Sequence, residues 1–318
     1  MNEVAAQRTG KPHEGIMAVT NTANRHIACL TLLSLLLAGS AIALLIYGWD
    51  YYFIDLAQRP FSPKHAYLKP SGTIGLQLGI FGLVLFAMVY LYPLRKYWPA
   101  FGRIGKTRNW FDYHVFLGIV APTLITFHCA LKHNGFAGMA YWTMIALVGS
   151  GIIGRYFYAQ IPRNISAAEM TLQEMQDLKA SLLEELKLQK LLQPSEIEAL
   201  FKLPDSQRIQ SMSALRAVVQ MVMLDIVRPF RVRSLRRRGL KSGGHSAFAA
   251  GILPTRNSEL EKAIRLASRQ ATLSKRILFL SKTHRLFHGW HIIHRPFSIS
   301  VAIFVIIHVA VVTWLGYY

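Results

Sequence analysis

Four histidines stand inside apolar stretches of this chain in two pairs of equal spacing, His114 with His128 and His294 with His308, each pair fourteen residues apart. On a helix that interval advances roughly 21 Å and nearly four whole turns, so both imidazoles of a pair share one stripe, one toward each end. Ionisable side chains inside apolar spans are costly, and those that persist there generally do chemistry. Two such stripes face to face would form two stacked bis-imidazole sites. An imidazole on each side is what six-coordinate haem iron requires, because the macrocycle already supplies four equatorial nitrogens. The histidines therefore predict two b-type haems with irons about 20 Å apart.

The elements that must position them are helices of membrane length. Over half of the 318 residues are hydrophobic (52%), and five stretches are apolar enough to span a bilayer: 28–47, 74–92, 112–132, 139–158 and 296–316. The expected fold is an all-α membrane protein, a five-span helical bundle with N-terminus inside and C-terminus outside. Its expected segments are a cytoplasmic N-terminal stretch (1–27), spans one to four (28–158), a cytoplasmic helical insertion (159–283), and an interfacial segment leading into span five (284–318). The first apolar stretch reads as a retained span rather than a cleaved signal, since the residues before it are long and mixed for a signal peptide.

Orientation comes from the basic residues. Lys and Arg number three before span one, five between spans two and three, and twenty-four from 155 to 295, all on one face; the other face has only Arg59, Lys64, Lys69 and Lys132. Arg95, Lys96, Arg103, Lys106 and Arg108, in a short loop, place the richer face in the cytoplasm. Spans three and five then run the same way. Parallel helices of equal spacing pair His114 with His294 near the cytoplasm and His128 with His308 near the exterior. The net charge of +20 is accounted for by anionic lipid beside that face and implies no nucleic acid. The two cysteines, Cys29 and Cys129, both fall in predicted spans, which leaves no disulfide framework, no covalent haem motif and no iron–sulfur ligand set.

Glycines mark two spans: Gly72, Gly75, Gly79 and Gly82 in the second, Gly149, Gly151 and Gly154 in the fourth. They offer small faces to a neighbouring helix or a flat cofactor. Pro122 frees a carbonyl in span three that Thr123, Thr126 or a neighbour must help to satisfy. In the insertion, Ala167 to Leu192 and Gln207 to Ile226 show amphipathic helical spacing. The basic run Arg228 to Lys241, followed by Gly243 and Gly244, reads as a flexible lipid-facing linker, and a further helix begins near Ser258 with Ser258 and Glu261 at capping-box spacing. No phosphate-binding loop, flavin domain or nicotinamide domain is visible.

Other polar groups lie near the predicted haem levels. Arg155 and Arg295 end spans four and five beside the inner pair, where guanidinium suits haem propionates. Lys132, His65 and His133 lie outside. His284, His288 and His291 precede His294 at the interface; a shift of one turn would make His291 the ligand, but the fourteen-residue match selects His294.

Phe111 to His128 followed by Arg155, and the stretch Phe287-His288-Gly289-Trp290-His291-Ile292-Ile293-His294-Arg295-Pro296-Phe297 with His308, resemble the ferric-reductase-like and cytochrome b561-like dihaem membrane domains. The resemblance covers about 74–158 and 284–318. It implies two haems b on four histidines and transmembrane electron transfer, as an oxidoreductase subunit of a bacterial cytoplasmic membrane. The chain departs from ferric reductases of the flavin type in lacking flavin and nicotinamide domains. The expected partners are the lipid bilayer, redox subunits or a c-type cytochrome, with quinone a further candidate. Two other readings stay open: a membrane assembly protein with structural histidines, and a histidine-lined metal transporter.

Overall fold

Proline and glycine set where the helices begin, end and touch. The computed structural model describes residues 12–162, 172–188, 203–240 and 258–317, and among these every regular element is helical. The principal helices are α1 (Pro12–Tyr47), α2 (Thr73–Val89), α3 (Leu91–Tyr97), α4 (Thr107–His128), α5 (Gly135–Gln160), α6 (Leu172–Leu188), α7 (Ser206–Ser211), α8 (Ala214–Leu240) and α9 (Ser258–Trp314). Five helical segments are long and apolar enough to cross a membrane: Arg25–Tyr47, His65–Arg95, Thr107–His128, Gly135–Gln160 and Glu261–Trp314. The chain divides into two compact units, one of Met1–Ile152 with His294–Tyr318, the other of Ile153–Ile293.

In the first unit α2 and α4 pack antiparallel. Gly79 lies against His128, Gly82 against Ile125, and Val89 against His114, so rising numbers on one helix meet falling numbers on the other. α9 is antiparallel to α2 and α3 as well, because Tyr90 donates its hydroxyl to the Ser298 carbonyl (2.6 Å) and Arg295 donates to the Tyr97 hydroxyl (2.9 Å). Two helices antiparallel to a third are parallel to each other, which makes α4 and α9 parallel. α4 runs unbroken through Pro122. The Thr123 hydroxyl donates to Ile119 O and that of Thr126 to Pro122 O, both at 2.8 Å, so neither serves the Gly118 carbonyl that the proline deprives of its partner.

The segment between α1 and α2 closes one end of this unit. Tyr51, Tyr52 and Leu68 pack with Phe127 and Ala130. Behind them Arg59, only 8% exposed, donates to Ala130 O (2.6 Å) and Tyr52 O (2.7 Å). It thereby pins the chain where Ala130 and Leu131 take left-handed backbone conformations (φ 49° and 57°) immediately after α4. Burial pushes the Tyr52 hydroxyl up to about 12, so it stays protonated. At the opposite end Arg95 gathers Gly102 O, Gly105 O and the Thr107 hydroxyl and lies over the Trp110 ring, fixing the start of α4.

The second unit corrects two readings of the sequence. The expected helix over 207–226 is two helices, broken where Met212 turns extended (ψ 146°). The basic run is no linker as far as Leu240, because α8 continues through it. Arginine is a good helix former, and the run is tied down: Arg228 donates to the Thr272 hydroxyl, and Arg236 grips Glu261 through two bonds of 2.9 and 2.8 Å. The carboxylate that accepts this grip is that of Glu261, the residue at capping-box spacing from Ser258. The helix expected near Ser258 runs on as one element to Trp314, with Pro296 inside it. Lys241, Gly243, Gly244 and the flanks of α6 lie outside the described residues. Ile209, Ala217, Met221 and Phe279 form one buried apolar cluster here. Beside it Lys275, 1% exposed, puts its ammonium 2.6 Å from both oxygens of Asp225, which also accepts from the Tyr156 hydroxyl (2.9 Å).

Arg59 yields a direct test. Arg59→Leu strips the donors from two backbone carbonyls in a buried pocket and is expected to cost roughly 1–3 kcal/mol per carbonyl left unpaired. Arg59→Lys, with one point donor in place of the fork, should lose about half as much. Denaturant unfolding of the purified protein in detergent measures both; equal midpoints for wild type and Arg59→Leu would show that the bonds contribute nothing.

Candidate functional site

The two histidine helices have the same internal plan. On α4 His114, Ala121 and His128 recur every seven residues, on α9 His294, Val301 and His308 do so, and the midpoints Ala121 and Val301 are fully buried. All four histidines are half-buried, whereas Ile292, Ile293, Ile299, Ile303, Ile306 and Ile307 are exposed on the remainder of α9. The histidine stripe is thus the inward face of each helix. His291, by contrast, is exposed and meets the rings of Phe287 and Trp290.

The helix α2 orients both histidines of α4 through its backbone. The Nδ1 atom of His114 is 3.0 Å from Val89 O, and that of His128 is 2.8 Å from Gly75 O. A carbonyl only accepts, so each Nδ1 carries the proton and donates it. In a neutral ring the lone pair then resides on Nε2, the nitrogen pointing away from α2. Each acceptor is available for a reason written in the sequence. Val89 O would ordinarily accept from the amide four residues on, but that residue is Pro93, which has none. Gly75 O lies under residue 79, and because 79 is glycine no side chain covers it; an added Cβ there would sit 2.6 Å from His128 Nδ1. On α9 the Nδ1 atom of His294 is 3.1 Å from the Ser150 hydroxyl of α5.

The four histidines sort into two levels. His114 contacts Val89 and the Tyr92 ring (centroids 5.1 Å apart), at the junction of α2 and α3. Arg295 and Ser298 of α9 reach Tyr97 and Tyr90 at the same junction, which brings the His294 end of α9 to the His114 end of α4. His308 lies within Coulombic reach of His128, the second level, beside Gly75 and Gly79. Among the described residues no three His, Cys, Asp or Glu side chains gather as a cage for a bare metal ion. Axial ligation of a macrocycle asks for only two.

The remaining candidates have the following places. Arg295 bonds Tyr97 and lies 5.9 Å from the centre of its ring; Arg155 lies over the Tyr158 ring at 5.8 Å. His65 pairs with the Tyr51 hydroxyl at 3.1 Å, His133 stacks on Tyr141, and Lys132 is exposed. Residues not singled out from the sequence also shape the site: Val89 and Pro93, Ser150, and the Arg59 clasp that holds the chain just beyond His128. Pro93 was a readable signal, being a proline in the first turn of α3 that offers no amide to the Val89 carbonyl four residues before it. Ser150 was readable only as a polar residue within span four.

The glycine under His128 can be probed by itself. Gly79→Ala pushes a methyl group into the imidazole and should destabilise the protein by about 1–3 kcal/mol. Gly118→Ala on α4, where an added Cβ meets nothing within 4 Å, should be neutral or stabilise by up to roughly 1 kcal/mol. Unfolding midpoints compare the two; an equal response would mean that the close approach at Gly79 is not the constraint.

Comparison with protein-family models, with curated proteins and with solved structures gives no match.

Proposed function

We propose that this protein carries electrons across a membrane through two b haems, one on His114 and His294 and the other on His128 and His308. The observation that carries the reading is the pair of Nδ1 hydrogen bonds from His114 and His128 to α2 carbonyls, which directs an Nε2 lone pair away from α2 at each of two levels. A metal-binding histidine characteristically donates its other ring N–H in this way, which sets its tautomer and raises its basicity. A bis-histidine haem supplies a reversible one-electron iron couple with no open coordination position, suited to transfer rather than oxygen chemistry. The chain's own contribution is to hold the four rings, exclude water with apolar helices, and fix ring orientation with α2 and Ser150.

The distribution of basic residues supports an N-terminus inside and a C-terminus outside, with residues 159–283 cytoplasmic. The donor is then a quinol or a cytoplasmic redox subunit and the acceptor an outer protein such as a c-type cytochrome, or the flow is reversed. The resemblance to ferric-reductase-like and cytochrome b561-like domains accords with this reading, and a bacterial cytoplasmic membrane is the proposed location.

Haem content tests the proposal. Protein produced with ample haem should show a reduced b-type α band and approach two haems per chain by pyridine haemochrome. His128→Ala and His308→Ala should each lose the same haem, His114→Ala and His294→Ala the other. Protein without an α band would leave the histidines structural and favour the assembly reading; metal without porphyrin would favour transport. Sidedness has its own assay: in a cysteine-free background, an impermeant thiol reagent should label Tyr317→Cys in intact cells and Ser211→Cys only after the membrane is opened. The reverse pattern would exchange the donor and acceptor sides.

A further inference from the structure

The helix α8 has two faces of opposite use. Ala217 and Met221 are fully buried against Ile209 and Phe279, and nearby Asp225 holds Lys275. On the other side Leu215, Val219, Met223, Ile226 and Phe230 are exposed by 75%, 53%, 54%, 52% and 65%. At about 100° per residue these five fall within an arc of about 80°. Arg237, also exposed, falls in the middle of the same arc two turns farther on, and the half-buried Arg233 lies at its edge. The whole helix has seven arginines against the single acid Asp225.

A continuous stripe of five large apolar side chains on an extramembrane helix is far more than the scattered exposure that surfaces tolerate. It needs an occupant, and two observations select one. The stripe passes directly into arginines, the pattern of a helix that buries an apolar face at the headgroup boundary and meets anionic phosphates with its basic residues. In addition, residues 153–293 are joined at both ends to helices apolar enough to cross a membrane, so a leaflet is always at high local concentration. We infer that α8 is an interfacial anchor, with Leu215, Val219, Met223, Ile226 and Phe230 inserted at the surface of an anionic leaflet and Arg233 and Arg237 on its phosphates. This assignment is independent of the haem reading: it rests on α8 and on the apolar helices to which its unit is joined.

The test uses the full chain with Cys29→Ser and Cys129→Ala, a fluorophore on Met223→Cys, and reconstitution into phosphatidylcholine vesicles with or without phosphatidylglycerol. A label on exposed Lys262→Cys of α9 serves as control. Nitroxide-bearing lipid should quench the label at 223 about threefold more than that at 262, and phosphatidylglycerol should strengthen the difference. Ile226→Asp with Phe230→Asp should abolish it, and Arg233→Gln with Arg237→Gln should remove the dependence on phosphatidylglycerol. Because these side chains do not belong to the core, circular dichroism should be unchanged. Equal access of aqueous iodide to both labels would overturn the anchor. So would a label at 223 shielded from iodide and lipid alike, which would mean that a second copy or another protein covers the stripe. Quenching indifferent to phosphatidylglycerol would overturn the assignment to anionic lipid.

Discussion

The antiparallel seam between α2 and α4 is the contact on which the rest of the candidate site depends. It does what a membrane interior makes difficult: it satisfies one polar nitrogen on each of two imidazoles without introducing another ionisable side chain. Backbone carbonyls are the natural acceptors there, but helices normally consume them. A proline four residues beyond Val89 and a glycine four residues beyond Gly75 release one carbonyl and uncover the other. The result is that His114 and His128 are oriented by a rigid element, not by flexible polar partners whose loss in an apolar medium would be costly.

That seam propagates its order. Because Tyr90, which caps α2, and Tyr97 of α3 both bond to α9, the segment that directly follows the orienting helix sets the level of the histidines on α9. Arg59 then secures the other end of the seam, where the backbone after His128 is left-handed at two non-glycine residues. Such conformations persist when surrounding bonds over-determine them, and a buried guanidinium donating to Ala130 O is a bond of that kind.

Residues 153–293 solve a different problem. Their ion pairs, Asp225 with Lys275 and Glu261 with Arg236, place acids where basic helices approach. Buried pairs of this sort contribute little net stability compared with apolar packing. Their value is in alignment: each acid accepts from residues on another helix, so α8 and the first half of α9 have one register. This also accounts for a basic run that looks unstructured when read alone and yet folds as helix.

Much was legible from the chain by itself. Five apolar segments, helical secondary structure and two stripes of histidine at equal spacing follow from local periodicity, because a helix maps sequence interval onto position without reference to anything distant. Even the parallel run of the two histidine helices followed from counting spans. What the sequence did not disclose is who partners whom. Glu261 at capping-box spacing chose Arg236, the glycines of span two received an imidazole and Ile125, and the arginine run joined α8. Those choices are made between residues far apart in the chain. Local spacing determines which groups share a face, and only packing in three dimensions decides which buried donor meets which buried acceptor, since each must find one to offset its lost water.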